Sequence, residues 1–169
     1  MDIVLFLKRN KMASFTNKFE SKKQDWTTPK SLFDKLDQEF HFEWDLAADK
    51  NNALCEKFYT KEDNALVKDW NGICYLNCPY GDKKSRIVDW VKKAYYETRV
   101  NSNLTVVMLI PARTNTRWWS DYIMKATEIR FVVGRPKFGN NKYGLPCPLA
   151  LIIWKKNELN YTKFSSFYL

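Results

Sequence analysis

Histidine is almost missing from this 169-residue chain, His41 being the only one, and the four cysteines, Cys55, Cys74, Cys78 and Cys147, contain no C-x-x-C pair. Zinc-site spacing is therefore absent and no metal is expected. Cys55, Cys74 and Cys147 read instead as small buried hydrophobes of a reducing compartment. Five glycines form no G-x-G loop, which argues against a dinucleotide, because its pyrophosphate needs glycine to approach the backbone. Long apolar runs are scarce too. Ile3 to Leu7 is too short for a signal-peptide core or a membrane span and follows an acid rather than a basic segment, so the expected location is the cytoplasm, with no membrane partner.

What is present is a foldable composition, 45% hydrophobic and 16% aromatic, in a length that suits one domain. The net charge of +9 is divided unevenly. Residues 1–30 carry seven Lys and Arg against three acids, residues 31–70 five against ten, and residues 71–169 sixteen against six. An acidic segment suits a cationic cofactor such as a sulfonium, and a basic one suits a polyanion. Residues 1–24 lack sustained periodicity and read as a basic N-terminal arm, 25–155 as the folded domain, and 156–169 as a C-terminal tail.

Within the domain, Thr28 before Pro29 reads as a helix N-cap with proline at the first helical position. Leu32, Phe33, Leu36 and Phe40 then share one face of a helix that should end near Phe40. Phe42 to Ala47 reads as a strand bearing Asp45, Ala47, Ala48 and Asp49 at its carboxyl end, and Ala53 to Tyr59 as a short helical stretch. Ile87, Trp90, Val91, Ala94 and Tyr95 recur at helical spacing, as do Trp118, Trp119, Tyr122, Ile123 and Ala126. Leu104 to Ile110, Ile129 to Val133 and Leu149 to Trp154 read as strands, the first buried on both faces as parallel sheets require. The alternation predicts a compact α/β sheet with helices on both faces, and such sheets bind ligands beyond the carboxyl ends of their strands.

One stretch stands at the centre of this order. Ile73 to Leu76 is β-branched and aromatic like a buried strand, and it runs into Asn77-Cys78-Pro79-Tyr80-Gly81, which cannot continue a central strand. The strand thus delivers a polar amide into a rigid turn beside an aromatic ring, a setting for a flat polar molecule.

Asn77-Cys78-Pro79-Tyr80 resembles the (D/N/S)-P-P-(Y/F/W) tetrapeptide of amino methyltransferases that use S-adenosylmethionine, with Cys78 in place of the first proline. Trp26-Thr27-Thr28-Pro29, Phe42 to Ala48, Leu109 to Trp118, Gly134-Arg135-Pro136-Lys137-Phe138 and a closing apolar strand are similar, in the same order, to the phage-type DNA adenine-N6 methyltransferase family. The resemblance covers about Asp25 to Trp154. It implies a Rossmann-like methyltransferase sheet and transfer of a methyl group from S-adenosylmethionine to adenine N6 in double-stranded DNA, with the target base flipped out. The setting would be the host cytoplasm if the chain is phage-encoded. By the same resemblance the Asn77 side-chain oxygen and the Cys78 carbonyl accept the hydrogens of the amine, Pro79 fixes the turn and Tyr80 stacks on the base. Asp45 or Asp49 would meet the amino-acid end or ribose of the cofactor and Asp63 its adenine, with Trp26, Thr28, Pro29 and Ala47 close by. Arg113, Arg117, Arg135 and Lys137, in loops beyond strands, are the candidates for DNA. Other planar amines (cytosine N4, RNA adenine, protein glutamine) and a catalytically inactive nucleic-acid-binding relative are the alternatives.

Overall fold

The protein is described from a computed structural model over residues 27–80, 86–139, 144, 147–156 and 161–169. The expected arm at 1–24, Trp26 and Gly81 lie outside the described residues.

Helix α1 spans Lys30–Phe40 and buries Leu32, Phe33 and Leu36. Its N-cap is Pro29, one residue later than the sequence suggests, and the Thr28 side chain makes no capping bond. At the other end His41 takes the left-handed conformation and returns its N–H to the Asp37 carbonyl, while the Asp37 carboxylate accepts from Phe42 N–H at 2.7 Å. The chain then enters β1, Trp44–Asp45, only the middle of the strand expected over Phe42 to Ala47.

The stretch expected to be helical at Ala53 to Tyr59 is a turn leading into a strand, β2, Lys57–Phe58. Within it Leu54 N–H goes to the Asp45 carboxylate and Tyr59 N–H to the Asp45 carbonyl, and just before it Asn51 N–H goes to the Asp49 carboxylate in an Asx turn, a local bond that competes with helical bonding. A 3-10 turn at Ala65–Val67 follows, and then β3, Ile73–Leu76. Gly72 precedes β3 at a φ of +73°, where the Glu43 carboxylate lies 2.5 Å from where a Cβ would stand; Glu43 uses that proximity to accept from Ile73 N–H.

Helix α2 spans Ile87–Val100, β4 Thr105–Pro111, α3 Arg117–Asp121, β5 Glu128–Val133, β6 Leu149–Trp154 and β7 Lys163–Tyr168. The amphipathic helix expected through Ala126 breaks at Tyr122, whose φ and ψ of −124° and −47° are not helical, and continues as a 3-10 turn at Ile123–Lys125. The residues read as a tail at 156–169 include β7, paired with β5 from Glu128↔Lys163 to Val133↔Tyr168.

The seven strands form one sheet in the order β2-β1-β3-β4-β6-β5-β7. β1, β2, β3 and β4 run parallel; β6 is antiparallel to both of its neighbours, β4 and β5, which makes β5 and its partner β7 parallel to β4. Successive residues of a strand point to opposite faces, and two cores result. Cys74 and Leu76, with Val106, Met108 and Ile110, pack under α2 and α3; Tyr75, Val107 and Leu109 pack under α1. Helices thus cover both faces, which explains why β4 and β6 are buried along nearly their whole length.

An ionic knot ties α1 to the far side of the sheet. Arg130 on β5 donates to both carboxylate oxygens of Glu39 at 2.6 Å and to Glu128 at 2.9 and 3.1 Å, and Ser165 on β7 donates to Glu128. The Arg130 bonds hold Glu39 below the usual carboxylate range; burial works against Glu128, yet the Arg130 and Ser165 bonds hold it low as well. Carboxylates of depressed pKa stabilise the fold above their ordinary pKa and cease to do so as pH falls through the folded value. Arg130→Met is therefore expected to cost about 1–3 kcal/mol at neutral pH. In thermal melts the gap between parent and variant should narrow as pH falls below about 4.5, and a gap independent of pH would assign the loss to packing instead.

Candidate active site

Because β1, β3, β4 and β5 are parallel, their carboxyl ends open on one edge of the molecule. From β1 come Asp45 and Ala47, from β3 the turn Asn77-Cys78-Pro79-Tyr80, from β4 the loop of Arg113, and from β5 the loop of Arg135 and Lys137. A cleft there, enclosing about 530 Å³ of empty space with its solvent-filled mouth, is lined by Thr27, Thr28, Asp45, Ala47, Asn52, Leu54, Tyr75, Asn77, Cys78 and Pro79. The lining contains a carboxylate and no cationic side chain.

At the back of the cleft runs a chain of hydrogen bonds from α1 to β4. Tyr75 Oη lies 2.8 Å from Thr28 Oγ1, Asn77 Nδ2 donates to Thr28 Oγ1 at 2.9 Å, and the Tyr80 hydroxyl lies 2.6 Å from Asn77 Oδ1 and 2.8 Å from the Leu109 carbonyl. Tyr80 has one proton for these two acceptors. Its ring packs against the core below α2, and desolvation drives its hydroxyl pKa well up, so it remains a neutral phenol. In this conformation, then, the tyrosine caps the amide oxygen rather than leaving it bare.

Cys78 turns its side chain into the core, where it is 3% exposed, and burial pushes its thiol far above the range in which a thiolate forms. A nucleophilic cysteine needs an accessible thiolate, which Cys78 does not present. Cys55 and Cys74 are both pushed up to about 12, chiefly by burial, and all four cysteines are free, with Cys55 and Cys147 half-buried.

Asp45 is 4% exposed, and burial raises its pKa despite bonds from Leu54 N–H at 3.2 Å and Ala47 N–H at 3.3 Å. It thus both shapes the loop and presents a carboxyl group to the cleft. Asp49 and Asp63 do not line it. Asp49 is tied to Asn51 and Asn52, and Asp63 accepts from Thr60, whose bonds hold it below its usual range; both are exposed. Pro29 sits behind Thr28 as the α1 cap. Arg113, Arg117, Arg135 and Lys137 are all exposed, in the segments that follow β4 and β5, and none forms an ion pair with a described residue.

Thr27, Asn52, Leu54 and Tyr75 reach the cleft without having been singled out in the sequence. Asn52 follows Asp49 in an Asx turn, whose spacing was readable; Tyr75 carried only the signal of an aromatic in a strand. Among the described residues no helix is long and apolar enough to cross a membrane, and no group of three His, Cys, Asp or Glu side chains could hold a metal.

A family model described as DNA N-6-adenine-methyltransferase (Dam) matches residues 15–163. The DNA N-6-adenine-methyltransferase of Haemophilus phage HP1 is 34% identical over 137 residues, covering 79% of this chain and 76% of that protein. The protein of the same name from Escherichia phage T1 is 33% identical over 120 residues, 69% of this chain and 48% of its own length.

Proposed function

The chain belongs to the DNA N-6-adenine-methyltransferase family, and on that premise we propose that its cleft brings S-adenosylmethionine to an adenine turned out of duplex DNA. Membership makes it an adenine-specific DNA methyltransferase that draws on a methyl donor. The observation that carries the site assignment is the Asn77-Cys78-Pro79 turn, which lines one cleft together with Asp45 and Ala47 at the carboxyl end of the central strands.

The lining fits the donor. A buried carboxylate with no cation beside it favours a sulfonium and an ammonium, and Asn52 and Thr27 add neutral hydrogen-bonding groups, while the Thr28 hydroxyl is engaged by Tyr75 and Asn77. Asp45, Ala47 and Asn52 would hold S-adenosylmethionine; Asp49 and Asp63, off the cleft, are second to them. When bound, the donor supplies an electrophilic methyl group.

The residues of the turn act on the base. An adenine amine is a weak nucleophile because its lone pair is delocalised into the ring. Two acceptors aimed at its hydrogens favour a tetrahedral nitrogen and restore that lone pair, a preorganised electrostatic effect. Asn77 Oδ1 and the Cys78 carbonyl are those acceptors. Turning the base out of the duplex costs a few kcal/mol, and stacking on the Tyr80 ring, at about 1–3 kcal/mol, offsets much of it. The Tyr80 hydroxyl gives up Asn77 Oδ1 as the amine takes it.

Since residue 78 acts through its carbonyl, which every amino acid supplies, Cys78→Ala should keep adenine methylation within about tenfold, or roughly 1.4 kcal/mol in barrier. The parent should form no covalent complex on DNA containing 5-fluorocytosine. A dead alanine variant together with such a complex would make the thiol a nucleophile and cytosine C5 the target.

The role of these exposed cations is tested by salt. DNA affinity should fall with a slope of about −0.9 per phosphate contact in a log–log plot, and Arg113→Gln or Arg117→Gln should each flatten it by about one contact. Donor affinity should respond far less. A slope unmoved by either substitution would return these arginines to ordinary surface.

A further inference from the structure

We propose that Thr28, backed by Tyr75, is the positioning residue that decides which end of the Asn77 carboxamide faces the base; this rests on Asn77 being the amine acceptor. A carboxamide has nearly the same shape when rotated by 180° about its last bond, but its chemistry is reversed. One orientation offers an acceptor to the adenine amine, and the other offers N–H donors that repel it. A site that relies on an asparagine oxygen therefore needs something to hold the nitrogen end away.

Thr28 is placed to do so. It stands one residue before the α1 cap, so its hydroxyl is not spent on the helix, and it is 4% exposed with Oγ1 accepting from Asn77 Nδ2 at 2.9 Å. A hydroxyl alone can donate or accept and would tolerate either end of the amide. Tyr75 removes that freedom when it takes the threonine proton: its Oη is 2.8 Å from Thr28 Oγ1, where either hydroxyl can donate, and a proton turned to Tyr75 leaves the threonine lone pairs towards residue 77. The Tyr75 ring lies in an apolar cluster with Leu32, Phe33 and Leu36, edge-on to Phe33 at 5.2 Å, where phenylalanine would pack as well. Among the described residues its hydroxyl bonds only Thr28. A buried phenol retained in apolar surroundings costs stability unless its hydroxyl has a partner, and here that partner leads to the amide.

The test compares single-turnover methyl transfer to unmethylated plasmid DNA with the equilibrium affinity for S-adenosylmethionine. Thr28→Val, which keeps shape and loses the hydroxyl, should lower the rate about 10- to 100-fold with donor affinity within about threefold, the pattern of an interaction used in the transition state. Thr28→Ser should return the rate to within about threefold of the parent, and Tyr75→Phe should fall between. In an Asn77→Asp background both side-chain oxygens accept, so no end needs choosing, and adding Thr28→Val should change the rate by less than about threefold. An unchanged rate in Thr28→Val, a loss seen only in donor affinity, or failure of Thr28→Ser to recover would each overturn the proposal. So would an equal loss in the Asn77→Asp background. If Asn77→Asp is itself inactive, the serine recovery and the donor affinity decide the matter. Full turnover in Asn77→Ala would instead remove the acceptor role on which the proposal rests.

Discussion

Asn77→Ala lowers the rate of methyl transfer by at least about 10²- to 10³-fold, the range seen when one preorganised hydrogen-bonding group is removed from a transition-state site. Its affinity for S-adenosylmethionine stays within a few-fold of the parent. The argument is one of place. Asn77 leaves the end of β3 with its nitrogen held by Thr28 and its oxygen met by Tyr80, so the acceptor has a fixed position before any base arrives. The carboxylate that lines the cleft is Asp45, on a different strand, with its own partners at Ala47 and Leu54. Removing the amide should therefore affect the chemical step and leave the donor site standing. Single-turnover rates and donor titrations read the two separately; unchanged turnover would take the turn out of the mechanism.

Tyr80→Ala is expected to reduce catalytic efficiency by about one to two orders of magnitude, corresponding to the 1–3 kcal/mol of one stacked base. Tyr80→Phe should lose much less. The hydroxyl competes with the base for Asn77 Oδ1 and also holds the ring to the Leu109 carbonyl, so its removal frees the acceptor while loosening the ring, two effects of opposite sign. Steady-state kinetics on duplex DNA and on DNA with a mismatched target adenine distinguish the ring's role. A base that is already unpaired needs less help to leave the stack, so the alanine variant should recover part of its loss on the mismatch. Equal losses for Phe and Ala would place the function in the hydroxyl and contradict stacking.

The sequence made the interior legible because the interior has the strongest periodicities. Leu149 to Trp154 is a continuous apolar run, and it is β6 to the residue. Leu32, Phe33 and Leu36, and Ile87, Trp90, Val91 and Ala94, repeat at helical spacing and are the buried stripes of α1 and α2. β7 was missed because an edge strand has little to bury: of its residues only Phe167 is buried, and serines interrupt the pattern. β2 was read as helix because the bond from Leu54 N–H to Asp45, nine residues back, is made in space rather than announced by spacing.

The same contrast holds in the site. Asn77, Cys78 and Pro79 were readable as a strand running into a turn that cannot extend it, and Asp45 as an acid at a strand end. By the resemblance Asp45 or Asp49 would meet the cofactor's amino-acid end or ribose and Asp63 its adenine; in the structure Asp45 lines the cleft, whereas Asp49 and Asp63 bond within their own turns. Thr28 was read as a cap because threonine before proline usually is one; the helix begins one residue later, which sends the hydroxyl to Tyr75 and Asn77. Such a diversion depends on a strand 47 residues away.

The most direct test of the account is product analysis. The protein is incubated with methyl-labelled S-adenosylmethionine and unmethylated duplex DNA, the DNA is digested to nucleosides, and the label is located. The account predicts label in N6-methyladenine, formed by the parent and at least about 10²-fold more slowly by Asn77→Ala. Label in a methylated cytosine or in protein, or N6-methyladenine formed equally well by Asn77→Ala, would contradict it.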